Sequence, residues 1–394
     1  MKARATGQRD GRPLRILYHH RIASRDGQYV HVDELTRALR RQGHELVMVG
    51  PAVGGGEFGG GSGLVARLKR HVPAPLYELM EFGYAFLAFA RLLSAGLRQR
   101  PDVIYERYNL FLPAGVWVSR WLGVPLLLEV NAPLFRERSA FGGIRLRRLA
   151  RWSEDYTWRR ARQVLPVTAV LAEAVAARGV ERDRITVIPN GIDPRRFASC
   201  PDAGEAKRRL GLDGRTVLGF TGFVRDWHGL DRVVELLQPG RGDRDLLIVG
   251  DGPAAEGIRQ RARELGVADR VTITGVVPRE RIPEYVMAFD IALQPDVVDY
   301  ASPLKLFEYL ALGRAIVAPD KPNIREVLAD RENAVLFEPG NMESFQAGIE
   351  ALCRDPALRD ALGRAARATI DRRQLTWERN AERVTELARA AGSS

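Results

Sequence analysis

Ser302, Pro303, Leu304 and Lys305 stand in a row, with Glu308 three residues further on, and these residue types at this spacing can grip a nucleotide. A hydroxyl residue followed by proline starts a helix: Ser302 as N-cap, Pro303 at the first helical position, where no amide partner is needed. The open N–H groups of Leu304 and Lys305 then point out of the helix end beside an ammonium, which makes an anion site suited to phosphate. Glu308 projects on the same side as Lys305. Its carboxylate accepts two hydrogen bonds of the kind a vicinal diol such as ribose offers. Leu304, Phe307 and Ala311 form an apolar face, and Gly313 closes the helix before the strand Ala315–Val317. One helix thus offers a diphosphate grip and a ribose grip. The same residues also suit an ordinary Ser-Pro helix start with a solvated Lys/Glu pair.

Two glycine-bearing turns follow apolar runs. In Val249-Gly250-Asp251-Gly252-Pro253 the glycines let backbone approach a ligand closely, and by itself the stretch marks a tight turn. The full dinucleotide fingerprint is missing, which argues against NAD. Phe220-Thr221-Gly222-Phe223-Val224-Arg225-Asp226-Trp227-His228-Gly229 contributes Gly222 and two basic groups, Arg225 and His228. Glu129 and Asn131 end the run that begins at Pro125. His19 and His20 are adjacent but do not make a metal site, and Asp243-Arg244-Asp245 precedes a strand rather than following one. No metal and no cofactor are expected. Cys200 and Cys353 lie far apart without metal-ligand spacing, as befits a reducing cytoplasm.

These residues need elements to hold them. Leu14–Tyr18 reads as a strand, Gly27–Gln42 as loop and amphipathic helix, and Glu45–Val49 as the next strand, which opens a parallel α/β domain. Residues 52–63 are Gly-rich and read as mobile, followed by a helical hairpin over about 64–98. Further strands are predicted at Val103–Tyr105, Pro125–Leu128, Arg162–Val167 and Ile185–Ile188. A second α/β pattern has strands at Val217–Phe220, Leu246–Val249, Val271–Ile273, Ile291–Leu293 and Ala315–Val317. Two Rossmann-like, doubly wound domains facing across a cleft are the expectation. The boundaries are a disordered tail over 1–13, an acceptor-side domain over 14–195, a donor-binding domain over 200–374, and a C-terminal helix over 375–394.

The chain has 394 residues and a formal net charge of +11, and all but five of its 60 basic residues are arginine. Such charge attracts something anionic. The densest patch, Arg136–Arg162, holds nine arginines against Glu137, Glu154 and Asp155, with Trp152, Tyr156 and Trp158 interleaved. A helix of this kind can lie on an anionic membrane surface, or be solvated with its aromatics turned to the core. No nucleic-acid motif accompanies the charge, and no nucleic-acid partner is expected. The apolar run Phe82–Ala90 is too short to cross a bilayer, so no transmembrane helix is expected.

The stretch Ser302-Pro303-Leu304-Lys305-Leu306-Phe307-Glu308-Tyr309-Leu310-Ala311-Leu312-Gly313 resembles the donor-binding segment of family 4 retaining glycosyltransferases, which have the GT-B fold. The likeness spans about 14–390 and is strongest at 185–193 and 300–317. It implies an enzyme that moves a sugar, with retention, from a UDP- or GDP-sugar to a glycan, lipid-linked or polysaccharide-precursor acceptor. The expected setting is cytoplasmic, peripheral on the inner face of the plasma membrane. The implied donor-binding residues are Gly222, His228, Gly250, Gly252, Val276, Ser302, Pro303, Leu304 and Glu308, with Gly27 and Gln28 in the first loop. The family's usual Arg and Lys after the first strand of the donor domain are Phe223 and His228 here, so Arg225 is the best substitute and His228 the second choice. The first Glu of the family's Glu-x7-Glu pair is Tyr300, with Asp299 beside it, and the sugar-proximal His is Asn131. The catalytic set is therefore Arg225, Lys305, Asn131 and Asp299. These losses also fit a rival, a non-catalytic relative that binds an anionic membrane or partner.

Overall fold

A computed structural model describes residues 11–22, 27–51, 72–141, 143–240 and 242–392. The chain divides into two units, one running to Pro189 and resuming at Trp377, the other spanning Asn190–Thr376.

The first unit alternates strands and helices: β1 (Arg15–His19), α1 (Gly27–Arg41), β2 (Glu45–Val49), α2 (Ala74–Gln99), β3 (Val103–Arg107), α3 (Ala114–Leu122), β4 (Leu126–Val130), α4 (Leu134–Phe141), α5 (Arg147–Arg160), β5 (Gln163–Pro166) and α6 (Ala169–Ala176). The strands form one parallel sheet in the order β2-β1-β3-β4-β5. β3 and β4 are buried along their whole length, which is why they read as continuous apolar runs rather than alternating ones. The second unit contains α7 (Ala203–Leu210), β6 (Thr216–Thr221), α8 (Leu230–Val233), β7 (Arg244–Val249), α9 (Ala255–Glu264), β8 (Val271–Ile273), α10 (Ile282–Met287), β9 (Ile291–Leu293), α11 (Leu304–Ala311), β10 (Ala315–Pro319), α12 (Pro322–Arg325), β11 (Val335–Phe337), α13 (Met342–Arg354) and α14 (Pro356–Arg372). Its parallel sheet runs β11-β10-β9-β6-β7-β8. That is the Rossmann order, which reverses direction between β6 and β9, and ligands bind beyond the strand ends at such a reversal.

The last helix, α15 (Trp377–Gly392), packs within the first unit. Its Trp377 is buried edge-on against His31 at 4.9 Å, and Glu378 pairs with Arg41 at 2.7 Å. Thr385 Oγ1 meets His44 Nε2 at 2.9 Å.

Two expectations differ from what is found. Ile185–Ile188 is no strand: it runs beside β5 through an isolated bridge at Ile185 and Val164 and hydrogen bonds from the Thr186 and Ile188 N–H groups to Val164 O and Pro166 O, and the sheet's strands end at β5. β11 was not among the predicted strands. Of the helical hairpin expected over about 64–98, the described part is one continuous helix, Ala74–Gln99, started after Pro73 and stopped at Arg100, whose φ of 47° is left-handed. Residues 1–10, the Gly-rich stretch 52–63 and the hairpin's first half, 64–71, lie outside the described residues.

Candidate functional site

The reversal point of the second sheet is built from three segments. β6 ends at Thr221, whose N–H donates to Tyr309 Oη at 2.9 Å while the two hydroxyls sit 3.1 Å apart. Tyr309 is on α11, and with Leu306, Phe307 and Leu310 it is buried, so the helix is locked against the strand end. Gly313, at φ 61°, then stops the helix as its position and type require.

The start of α11 differs from expectation by one residue. Pro303 occupies the N-cap position, with ψ 117° and no side-chain cap. Ser302 is not the cap, because its hydroxyl accepts the Asn190 N–H at 3.3 Å and its carbonyl accepts Asn190 Nδ2 at 2.5 Å. The Pro189-Asn190-Gly191 turn thereby fixes where the helix begins.

Lys305 comes next. Its Nζ lies 3.7 Å from the centre of the Phe220 ring, and a β-carbon added at Gly222 would come within 3.3 Å of it. Lys305 is half-buried and makes no hydrogen bond or ion pair among the described residues. Burial pushes its ammonium down to about 7, although the nearby Glu308 carboxylate works the other way. A cation held in this state gains most from an arriving anion.

The two glycine turns stack on one another. Gly222 N–H donates to Val249 O at 3.0 Å and Val224 N–H to Asp251 O at 2.9 Å. A β-carbon at Gly250, where φ is 147°, would fall 2.0 Å from Gly222 O, and one at Gly252 would fall 2.1 Å from Val224 O. These glycines serve the contact between loops.

Arg225 is exposed, with its guanidinium 4.7 Å from the Phe223 ring centre and 4.9 Å from that of Trp227. The aromatic residue that replaces the family's arginine is thus one of two rings that hold a different arginine. The alternation 223, 225, 227 was the available signal, and sequence reasoning missed it. His228 is buried beneath Phe220, and burial, then Lys305, holds its imidazole at about 3. It is neutral, and its Nδ1 accepts the Arg225 N–H at 3.2 Å. It therefore cannot replace the family's lysine as a cation.

The first sheet reverses between β1 and β3, and buried charge gathers there. His19 Nδ1 lies 2.5 Å from Glu106 Oε2. Glu129 at the end of β4 receives Arg107 Nη1 at 2.5 Å, His31 Nε2 at 2.9 Å and Tyr105 Oη at 2.7 Å. Burial pushes the Glu129 carboxyl up, but His31 and Arg107 hold it well below the usual carboxylate range. Asn131 Nδ2 donates to the same carboxylate. His20 is pushed down to about 4 by burial and by its neighbour His19. Sequence reasoning missed His31, Glu106 and Arg107; the charged pair closing an apolar strand was the signal.

Comparison with known proteins decides the family. The sequence model described as Glycosyltransferase Family 4 matches residues 25–196, and that described as Glycosyl transferases group 1 matches 202–369. The chain belongs to this family of glycosyltransferases. It is 27% identical over 377 residues to the 2-deoxystreptamine N-acetyl-D-glucosaminyltransferase of Streptomyces fradiae, covering 88% of this chain and 89% of that one. It is 29% identical over 404 residues to the D-inositol 3-phosphate glycosyltransferase of Acidothermus cellulolyticus, covering 94% and 83%. The fold is shared with Anabaena HepE in complex with UDP, at a TM-score of 0.75 and 18% identity over 96% of this chain and all of that one. The GT-B fold and the transferase class follow.

In this glycosyltransferase the remaining predicted residues are less central. Asp299 is exposed and 3.5 Å from Lys321, which also binds Asp296 at 2.7 Å. Val276 is exposed, two residues past Thr274, whose hydroxyl receives the Gly250 N–H at 3.3 Å. Gly27 and Gln28 open α1, and their side chains lie outside the described residues. Asp245, of the dismissed Asp-x-Asp, is buried against Arg215 at 2.9 Å. A cavity of about 520 Å³ in the first unit, lined by Phe135, Arg136, Arg147, Arg151, Glu154 and Trp158 among others, includes none of the predicted site residues. Among the described residues, no group of three His, Cys, Asp or Glu is placed to hold a metal ion.

Proposed function

We propose that this glycosyltransferase transfers a sugar from a UDP-sugar with retention of anomeric configuration, using its own cations on the leaving diphosphate without a metal. The observation that carries the reading is Lys305: an ammonium that burial brings down to about 7, with no ion pair among the described residues, facing Gly222 at the sheet reversal, with Glu308 one turn on. The β-phosphate lies against Lys305 and the open N–H groups of Leu304 and Lys305, and the exposed Arg225 closes over it. Both cations act where negative charge develops as the bond breaks. Glu308 takes the ribose hydroxyls. The bond from the anomeric carbon to the phosphate oxygen breaks, the acceptor oxygen bonds to that carbon on the same face, and the acceptor's proton passes to the departing phosphate. Retention rests on the family resemblance, and the choice of UDP on the UDP bound to HepE.

For the acceptor, the names of the relatives are the guide: 2-deoxystreptamine and D-inositol 3-phosphate are both hydroxylated six-carbon rings. A cyclitol is the first acceptor to test. A lipid-linked glycan or polysaccharide precursor is the second reading, favoured by an exposed apolar face in the first unit. Cytoplasmic placement belongs to the same proposal and is supported by two free cysteines, Cys200 and Cys353.

The test is calorimetric titration of UDP, GDP and ADP into the wild type and Glu308→Ala, followed by incubation with UDP-sugars, cyclitols and lipid-linked glycans with and without EDTA. UDP binding much weakened in the variant, and an α-linked product from an α-linked donor in EDTA, are expected. Binding of no nucleotide, an inverted product, or activity lost to the chelator would overturn the reading.

A further inference from the structure

We propose that the outer face of α2, continued by Trp121 and Trp152, is a docking surface for a bilayer containing anionic phospholipid. The inference does not rest on the donor reading.

The helix is 26 residues long and apolar enough to cross a membrane by length and composition, whereas the run Phe82–Ala90 alone is too short. It does not stand free to do so. Glu78, Ala85, Ala88, Leu92 and Gly96 form a buried stripe against the rest of the first unit, and the Leu122 side chain abuts Gly96. Its opposite stripe, from Leu76 to Leu97, faces outward. Leu79, Met80, Phe86 and Leu87 are all about half exposed, Phe86 reaching 59%. Most of the large hydrophobic side chains exposed among the described residues belong to this stripe or adjoin it, so the exposure is concentrated rather than scattered.

Aromatic contacts make the patch continuous across three helices. Phe86 lies 5.4 Å from Trp117 on α3, and Phe82 lies 6.1 Å from Trp152 on α5. One turn beyond Trp117, Trp121 is 65% exposed, while Trp152 stacks on Tyr156. The basic segment thus splits its aromatics: Trp158 is turned to the core and Trp152 outward. Indole rings at the edge of an apolar stripe suit the boundary between headgroups and acyl chains.

Charge selects the kind of surface. The carboxylates of α2 are both engaged by the protein: Glu78 accepts the N–H groups of Arg145 and Leu146, and Glu81 pairs with Arg138 at 2.9 Å. Arg91, Arg98, Arg120 and Arg148 around the patch are exposed and make no ion pair among the described residues. An apolar stripe rimmed by uncompensated arginines complements anionic headgroups. A second copy of the chain is a poorer occupant, because a two-fold contact through this face would set the same arginines against each other.

The test floats the full chain with vesicles of phosphatidylcholine alone and of phosphatidylcholine mixed with phosphatidylglycerol. Binding to the mixed vesicles, weakened by salt, is expected, with about tenfold weaker partition for Phe86→Glu and a reduced salt dependence for Arg98→Glu paired with Arg148→Glu. Indole fluorescence should shift to the blue on binding, and Trp121→Phe should diminish the shift. Unchanged circular dichroism and melting show that each variant is folded. Equal recovery with both vesicle types, no flotation, or a variant that floats like the wild type would overturn the proposal. So would a stable dimer in light scattering that Phe86→Glu disperses, which would assign the face to a second copy.

Discussion

Lys305 holds its ammonium 3.7 Å above the ring of Phe220, and Phe220 also packs on His228 with ring centres 4.9 Å apart. A single buried ring at the end of β6 therefore touches two bases whose values burial lowers. The imidazole stays neutral and the ammonium stays close to its titration point.

Nucleotide affinity should depend on pH through Lys305. Its value in the free protein is lowered to about 7 by burial, and a bound diphosphate raises it again. Below that value the group is charged in both states and affinity is flat. Above it, binding must take up a proton, so affinity falls about tenfold per pH unit. Lys305→Met should bind weakly with a flat profile from neutral to alkaline pH, as calorimetry would register. His228, at about 3, contributes no inflection between pH 5 and 9.

Glu308→Ala removes a charged acceptor and should weaken nucleotide binding by about 10- to 100-fold. The melting temperature without ligand should move little, since Glu308 is only half-buried. Deoxyribose nucleotides tested on the wild type should reproduce part of the loss.

Alanine at Gly250 is expected to be costly. The left-handed region and the Gly222 carbonyl 2.0 Å away both oppose a β-carbon there. A loss of about 1–3 kcal/mol in urea unfolding is expected, with donor affinity reduced because the Gly222 loop must shift away from Lys305.

Glu129→Gln should destabilise the first unit by about 3–5 kcal/mol, because Arg107 and His31 lose their buried counter-charge. For the wild type the sign follows from the lowered Glu129 value. The stabilisation is complete above the unfolded carboxylate range, about 4.5, and is lost as pH falls towards the depressed folded value. Acid unfolding of the variant should lose that steep limb.

The sequence made local chemistry legible and long-range pairing invisible. The bounds of β2, β8 and β9 are as read, because each is a short apolar run between turn residues. Gly313, Lys305 and Glu308 carry their meaning in spacing along one helix. Ser302 was misplaced by one position because its partner, Asn190, is 112 residues away. His228 looked cationic until Phe220 was seen to cover it. His19 meets Glu106 through strand order and His31 meets Glu129 through the packing of α1, neither of which any window of sequence displays.

The docking of α15 on the first unit has a consequence for synthesis. That unit is not a continuous piece of chain: His31 awaits Trp377, and His44 awaits Thr385. The unit spanning Asn190–Thr376 is continuous. The second unit therefore needs nothing coded after Thr376, whereas the first is complete only once α15 has been made. Released chains truncated after Thr376 should therefore protect the second unit from protease and leave the first open to it.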